Sequence, residues 1–461
     1  MKSLIQQTSK LKMIRAYGRV SAIRGLVVEV SGPIGHLAIG AQLSIALKRS
    51  KQPNLICEVV GFRDRLAICL AYGPLTGIKP GDVAEFLEPE PVLHPCDAWI
   101  GRVVDGLGNP IDGKGPLQTG AIAQNLSEPP PPPHERSLVE VPLDLGIRAF
   151  NTFLPCCSGQ RMGIFAGSGV GKSMLMSMLA RNGSADVAVI GLIGERGREV
   201  QDFLVKTLGS VGLKNSVLVV ATSDAPALMR RQAAHTTLAL AQYFSARGRE
   251  VLCLMDNLTR FAQAQREIGL SAGEPPTTKG YPPSVFSELP RLLERAGPGK
   301  QGQGNITGLF AVLVEGDNTN EPVSDTVRGI LDGHVVLSRE IAERGRFPAI
   351  DVLSSVSRTF TEALSPENQE LVGQARRLMA RYRDMEELIR LGAYRTGSDA
   401  LTDEALKIIP QIEKFLSQSQ HDATSIDESF AMLREILSHA PVSAAELDAP
   451  GTGTAEESAT V

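Results

Sequence analysis

The stretch GIFAGSGVGKSMLMSMLA, Gly163 to Ala180, sets three glycines at alternate positions ahead of a lysine and a serine. Gly167, Gly169 and Gly171 let the backbone turn with its N–H groups inward, and Ser168 and Val170 complete a loop able to cradle phosphate oxygens. A helix beginning near Lys172 would aim its positive end at the same point. Lys172 would then reach the β- and γ-phosphates of a nucleoside triphosphate, and Ser173 would offer its hydroxyl to Mg²⁺. The strict pattern has glycine six positions before the lysine, where this chain has Ala166. Ala166 ends an apolar run, so the turn begins at Gly167 with little loss.

Binding is not hydrolysis, which also needs a held metal, a positioned water and charge compensation at the γ-phosphate. Asp256 closes the apolar run VLCLMD, the place where ligands of open α/β sheets gather. Taken alone it could also be the acidic cap of a helix after Asn257; beside a phosphate loop it is a candidate metal ligand. GLIGERGREV ends a further apolar run with Glu195, Arg196, Arg198 and Glu199. A carboxylate there could polarise the attacking water, and composition does not choose between Glu195 and Glu199.

These groups need a scaffold. From about Ala16 to Leu87 apolar residues alternate in steps of two between glycine-bearing turns, the pattern of a small all-β barrel or sandwich. Pro129 to Pro133 form a stiff extended spacer or surface strap. Beyond Leu138 short apolar runs alternate with longer amphipathic stretches, which implies a parallel sheet covered on both faces. KSMLMSMLARNG reads as a helix stopping at Asn182–Gly183. After Ser365 apolar residues recur at three- and four-residue steps, a helical region. The last twenty residues carry four acids and no base and read as disordered.

Composition narrows the class. Across 461 residues, 43% are apolar and 21% charged, a globular profile of two or three domains. The net charge of −4 provides no global field for nucleic acid. A nucleic-acid translocase would also need stacking aromatics in a basic groove. Aromatics total 5%, and the amino-terminal region offers mostly Phe62, Tyr72 and Phe86 without a flanking basic cluster. The six cysteines lack metal-ligand spacing and are read as reduced buried thiols of a cytosolic protein. No signal peptide or membrane-length apolar run is seen, so the chain is expected in the cytoplasm.

Together, AGSGVGKS, GLIGERGREV, MDNLTRFAQAQREIGLSAGEPP, GYPPSVFSELPRLLERAG and FPAIDVLSSVSR resemble the rotary-type ATPases, over about Arg15 to Gln418. Within that superfamily the chain is most similar to the type III protein-export ATPases, the flagellum-specific branch first and the virulence injectisome branch as alternative. The resemblance implies an α/β fold: a RecA-like P-loop core with parallel sheet at 91–365, a small β-barrel at 16–90 and a carboxy-terminal helical domain at 366–440. It implies a Mg²⁺-dependent ATPase that energises protein export, with ATP as nucleotide. Glu195 matches the catalytic carboxylate, Arg196 falls near the γ-phosphate, and Glu199 supports the metal shell with Ser173 and Asp256. Arg358 matches the arginine finger. Phe347 stands where the family usually has a tyrosine stacking on adenine, and it keeps that π face.

In the F-type enzymes the catalytic glutamate and the finger come from different chains, whereas Glu195 and Arg358 stand in one. A ring of identical subunits, expected as a hexamer, follows, each lending its finger to the neighbour. The basic arm 1–15 carries Lys2, Lys10, Lys12 and Arg15. It would bind a stator-like regulatory protein and could touch the inner membrane at the flagellar base. The acidic loop Val314 to Asp325 would face a central stalk protein. The carboxy-terminal helices would meet the export gate, chaperones and flagellar substrates.

Overall fold

The computed structural model describes residues 15–47, 54–87, 92–314 and 321–438. The arm before Arg15, the tail 441–461 and residues 315–320 of the acidic loop fall outside those residues.

The alternating segment closes on itself. Strands β1 (Tyr17–Arg24), β2 (Val27–Ser31), β3 (Gln42–Ile45), β4 (Leu55–Arg63), β5 (Leu66–Ala71) and β6 (Val83–Phe86) form a barrel in the order β1-β2-β5-β4-β3-β6. Val20, Val28, Val30, Leu43, Ile45 and Val59 fill its interior, as a period of two requires when one face turns inward. Tyr72 and Phe86 are buried, so of the three aromatics only Phe62 is exposed.

The second body is a sheet of eight strands. After β7 (Val92–Leu93), β8 (Val103–Val104) and β9 (Gln124–Asn125) come β10 (Arg161–Ala166), β11 (Val187–Glu195) and β12 (Ser216–Thr222). Next are β13 (Val251–Asp256), β14 (Ile306–Leu313), β15 (Gly333–Leu337) and β16 (Ile350–Ser357). The order is β16-β15-β10-β14-β13-β11-β12-β8, parallel except for β16, which runs antiparallel to β15. Strand β13 is buried at all six positions, VLCLMD, because helices cover both faces. One face packs helix Lys172–Asn182 and the carboxy-terminal helices; the other packs helices Ala227–Ser245, Leu258–Ala272 and Pro283–Leu293.

The proline run does not lead from barrel to sheet, since β8 precedes it in the chain and already belongs to the sheet edge. It is a strap held on the sheet domain: Arg136 Nε donates to the Pro131 carbonyl at 2.9 Å and Gln242 Nε2 to the Glu128 carbonyl at 3.3 Å. The carboxy-terminal helices are Pro366–Arg390, Ala400–Leu416 and Ile426–Ser438. Ser365 and Asp399 cap the first two by accepting from Asn368 and Thr402. The six cysteines are free thiols, all buried but half-exposed Cys96, and burial pushes Cys253 up to about 12.

The barrel sits on the sheet domain through a small apolar cluster, Leu70, Tyr72, Leu228 and Ile268. A buried polar group lies beside it. Arg231 Nη2 donates to both carboxylate oxygens of Glu58, at 2.5 and 2.7 Å, and the Tyr72 hydroxyl donates to the same carboxylate.

Candidate active site

The phosphate loop follows β10 at the carboxyl edge of the sheet. Its turn needs Gly169 at φ 81° and Gly171 at φ 93°, a region that L side chains rarely adopt. Gly171 has a second reason: a Cβ there would stand 3.2 Å from the Phe347 ring. The aromatic expected against adenine thus lies on the loop itself, and its carbonyl accepts from the Gln418 N–H at 2.8 Å. The helix starts at Lys172 and ends at Asn182, as the periodicity predicts. Val170 is buried beneath the loop, while Ser168, Gly169 and Ser173 are exposed at its mouth.

Strands β10 and β13 are separated only by β14, which brings Lys172 to Asp256 across 84 positions of sequence. Lys172 Nζ donates to Asp256 Oδ1 at 2.5 Å and lies 3.7 Å from Glu195 Oε1. Burial works against the charge on Lys172, but Asp256, Glu195 and Glu199 outweigh it and raise its pKa above the ordinary lysine value. Asp256 is not the helix cap. Asn257 takes that role, its Oδ1 accepting from the Arg260 N–H at 2.8 Å, which leaves the Asp256 carboxylate for the lysine.

The same cap aims the other end of the Asn257 amide at Glu195, Nδ2 to Oε1 at 2.7 Å. Asn257 is 1% exposed. Desolvation pushes the Glu195 carboxyl up to about 7, Asp256 and a hydrogen bond from Glu199 add to the rise, and Lys172 and Asn257 oppose it. A carboxyl that titrates near neutrality suits proton transfer from water. Sequence reasoning did not single out Asn257. Its signal was present, an Asn immediately before a helix, but its second bond depends on tertiary packing.

Of the two glutamates left open by composition, Glu195 stands at the half-buried end of β11 and Glu199 is exposed in the next helix. Gly194 lets β11 deliver Glu195: at φ 71° its missing Cβ would lie 2.8 Å from Arg260 Cβ. Arg196 is exposed at the N-cap position of helix Gly197–Asp202, with no side-chain capping bond.

Arg358 is not brought to the others. Ser357, the end of β16, pairs with Gly333 at the start of β15, whereas Leu337 at its other end pairs with Ala166 before the loop. Four strand residues at ~3.3 Å each separate these levels by about 13 Å. The exposed Arg358 therefore occupies the edge opposite its own phosphate loop.

The oxygen donors Ser173, Asp256 and the flanking glutamates are the set Mg²⁺ prefers. Among the described residues there is no group of three or more His, Cys, Asp or Glu that could hold a metal ion.

Fold and site define a P-loop nucleotide-binding protein with a barrel before the core and helices after it. The chain belongs to the ATP synthase alpha/beta family, whose nucleotide-binding domain matches residues 146–357 and whose β-barrel domain matches 20–88. Residues 364–435 match the type III secretion EscN ATPase carboxy-terminal domain. A flagellum-specific ATP synthase of Caulobacter vibrioides is 54% identical over 95% of this chain and 99% of its own length. Among solved structures, the assembled ATPase EscN of the enteropathogenic E. coli type III secretion system is 40% identical at a TM-score of 0.84. It covers 91% of this chain and 100% of its own. EscN with its central stalk EscO matches at 39% and 0.83, with the same coverage. The resemblance to the export ATPases, and the three-part fold it implied, are borne out.

Proposed function

We propose that the chain hydrolyses ATP to ADP and phosphate to energise export of flagellar proteins, as a ring whose sites lie between subunits. The observation that carries the chemistry is the convergence of Lys172, Asp256, Glu195 and Asn257 at the mouth of the phosphate loop. The loop N–H groups and Lys172 bind the β- and γ-phosphates, and Phe347 stacks on the adenine. Mg²⁺, held by Ser173 and Asp256 with support from Glu199, would neutralise phosphate charge. Once Lys172 turns to the phosphates, Glu195 takes the proton of the attacking water, kept in place by Asn257. By the family reading Arg196, which follows Glu195, assists at the γ-phosphate, and Arg358 supplies the finger to the adjacent subunit.

The flagellar system is favoured over the injectisome by 54% identity to the flagellar relative against 43% to a type 3 secretion system ATPase over the same share of the chain. Export would place the protein in the cytoplasm, peripheral to the inner membrane; among the described residues no helix is long and apolar enough to cross one. The EscO complex supports a central stalk as partner. The stator-like regulator at the arm, the export gate, chaperones and substrates follow from the family reading.

Lys172→Ala and Glu195→Gln test the reaction. Each is expected to abolish steady-state ATP turnover, with nucleotide binding lost in the first and kept in the second. Normal turnover in either sinks the assignment.

A further inference from the structure

The turn carrying Arg358 is held more tightly than its exposed position requires. Gln160, 0% exposed just before β10, reaches it with both ends of its amide. Its Nε2 donates to Ser357 Oγ and to the Asp332 carbonyl, each at 3.2 Å. Its Oε1 accepts from Thr359 Oγ1 at 2.7 Å and from the Cys157 N–H at 2.9 Å. Arg358 itself donates its backbone N–H to the same Asp332 carbonyl at 3.0 Å. The residues on both sides of Arg358, and its own backbone, are thus tied to one amide and one carbonyl. Only the guanidinium arm is left to project.

Asp332 is fixed in turn by Arg161, the residue after Gln160. The Arg161 N–H and Nε reach Asp332 Oδ2 at 3.0 and 3.1 Å, and Nη1 pairs with Glu294. An amide is one of the few side chains offering two donors and a two-lone-pair acceptor in a fixed plane, which this arrangement uses. Five residues beyond Arg161, β10 ends at Ala166 and becomes the phosphate loop.

We infer that Gln160 is the positioning residue of the Arg358 finger, fixing the arginine lent to a neighbour to the strand that carries the subunit's own phosphate loop. The inference rests on Arg358 acting as a finger. A finger is worth about 10³–10⁵ in rate, and a displacement of about 1 Å costs on the order of 10². Gln160→Ala is therefore expected to lower kcat on the order of 10- to 100-fold, with affinity for a fluorescent ATP analogue unchanged.

Mixed rings separate this from a merely structural defect. A Glu195→Gln subunit has no working site but an intact finger; an Arg358→Ala subunit has an intact site and no finger. Co-assembling full-length Gln160→Ala with Glu195→Gln should restore turnover per Gln160→Ala site, because good fingers then reach those sites. Co-assembly with Arg358→Ala should restore nothing. Thr359→Val, which removes one hydroxyl from the clamp, should show the same pattern with a smaller loss and carries the comparison if Gln160→Ala does not fold. Normal turnover in the Gln160 and Thr359 variants, or a loss that Glu195→Gln subunits do not rescue, overturns the inference. Full activity in Arg358→Ala would instead overturn the finger reading beneath it.

Discussion

Glu195 has opposing neighbours that make its protonation measurable. Burial and Asp256 lift its carboxyl to about 7, while Lys172 and the Asn257 amide favour the ionised form. With Glu195 as the proposed base, the ionised form is the active one, so kcat/KM, which reports the free enzyme, should rise with pH through about 7 and level off above it. Asn257→Ala removes a donor to the carboxylate and must raise the Glu195 pKa further. The acid limb should then move to higher pH, with a lower plateau because the carboxylate is less well aimed. A pH profile of the variant with an unmoved limb would show that Asn257 acts only as a helix cap. The choice of Glu195 comes from the GERGRE pattern and the family resemblance; composition alone left it level with Glu199. Burial at the strand end separates them.

At the scale of elements, β11 and helix Leu258–Ala272 must approach closely for Asn257 to touch Glu195, and Gly194 permits it. Gly194→Ala forces a Cβ to 2.8 Å from Arg260 Cβ at a φ of 71°. A non-glycine residue in that region costs about 1–3 kcal/mol before the clash is added. Thermal denaturation should show a lower midpoint, and turnover should fall with it as Glu195 is displaced. The strands, the helix Lys172–Asn182 and the barrel were readable from periodicity, since each depends on which residues face a core. The proline run was open between spacer and strap, because its composition specifies an extended chain and not what that chain lies on.

For the whole molecule, two junctions matter. The barrel docks through the buried Glu58–Arg231 pair, with side chains 8% and 17% exposed. Glu58→Ala leaves a buried cation without its partner, which costs about 3–5 kcal/mol. Urea denaturation should show that loss, and replacing both residues by methionine together with Tyr72→Phe, which removes the hydroxyl that donates to Glu58, should recover most of it. In the proposed ring a second junction lies between subunits. Arg358 faces away from its own loop, so specific ATPase activity should climb with protein concentration as rings assemble. Arg358→Ala should remove that climb, by about 10³–10⁵ at full assembly, while leaving nucleotide binding intact. Activity per subunit that stays flat with concentration would mean each chain completes its own site.

What the sequence by itself determined is local: a phosphate loop whose glycines, lysine and serine are consecutive, apolar runs that must be buried strands, and an acid closing one of them. Those follow from backbone sterics and burial acting over a few residues. Only the tertiary structure decided the rest. Lys172 meets Asp256 because one strand lies between theirs, Asn257 takes the helix cap and so frees Asp256, and Gln160 grips the turn at Arg358. The antiparallel run of β16 alone sends Arg358 to the far edge of the sheet. Pairing, register and strand direction join residues tens to hundreds of positions apart, and no local pattern of residue types carries that information.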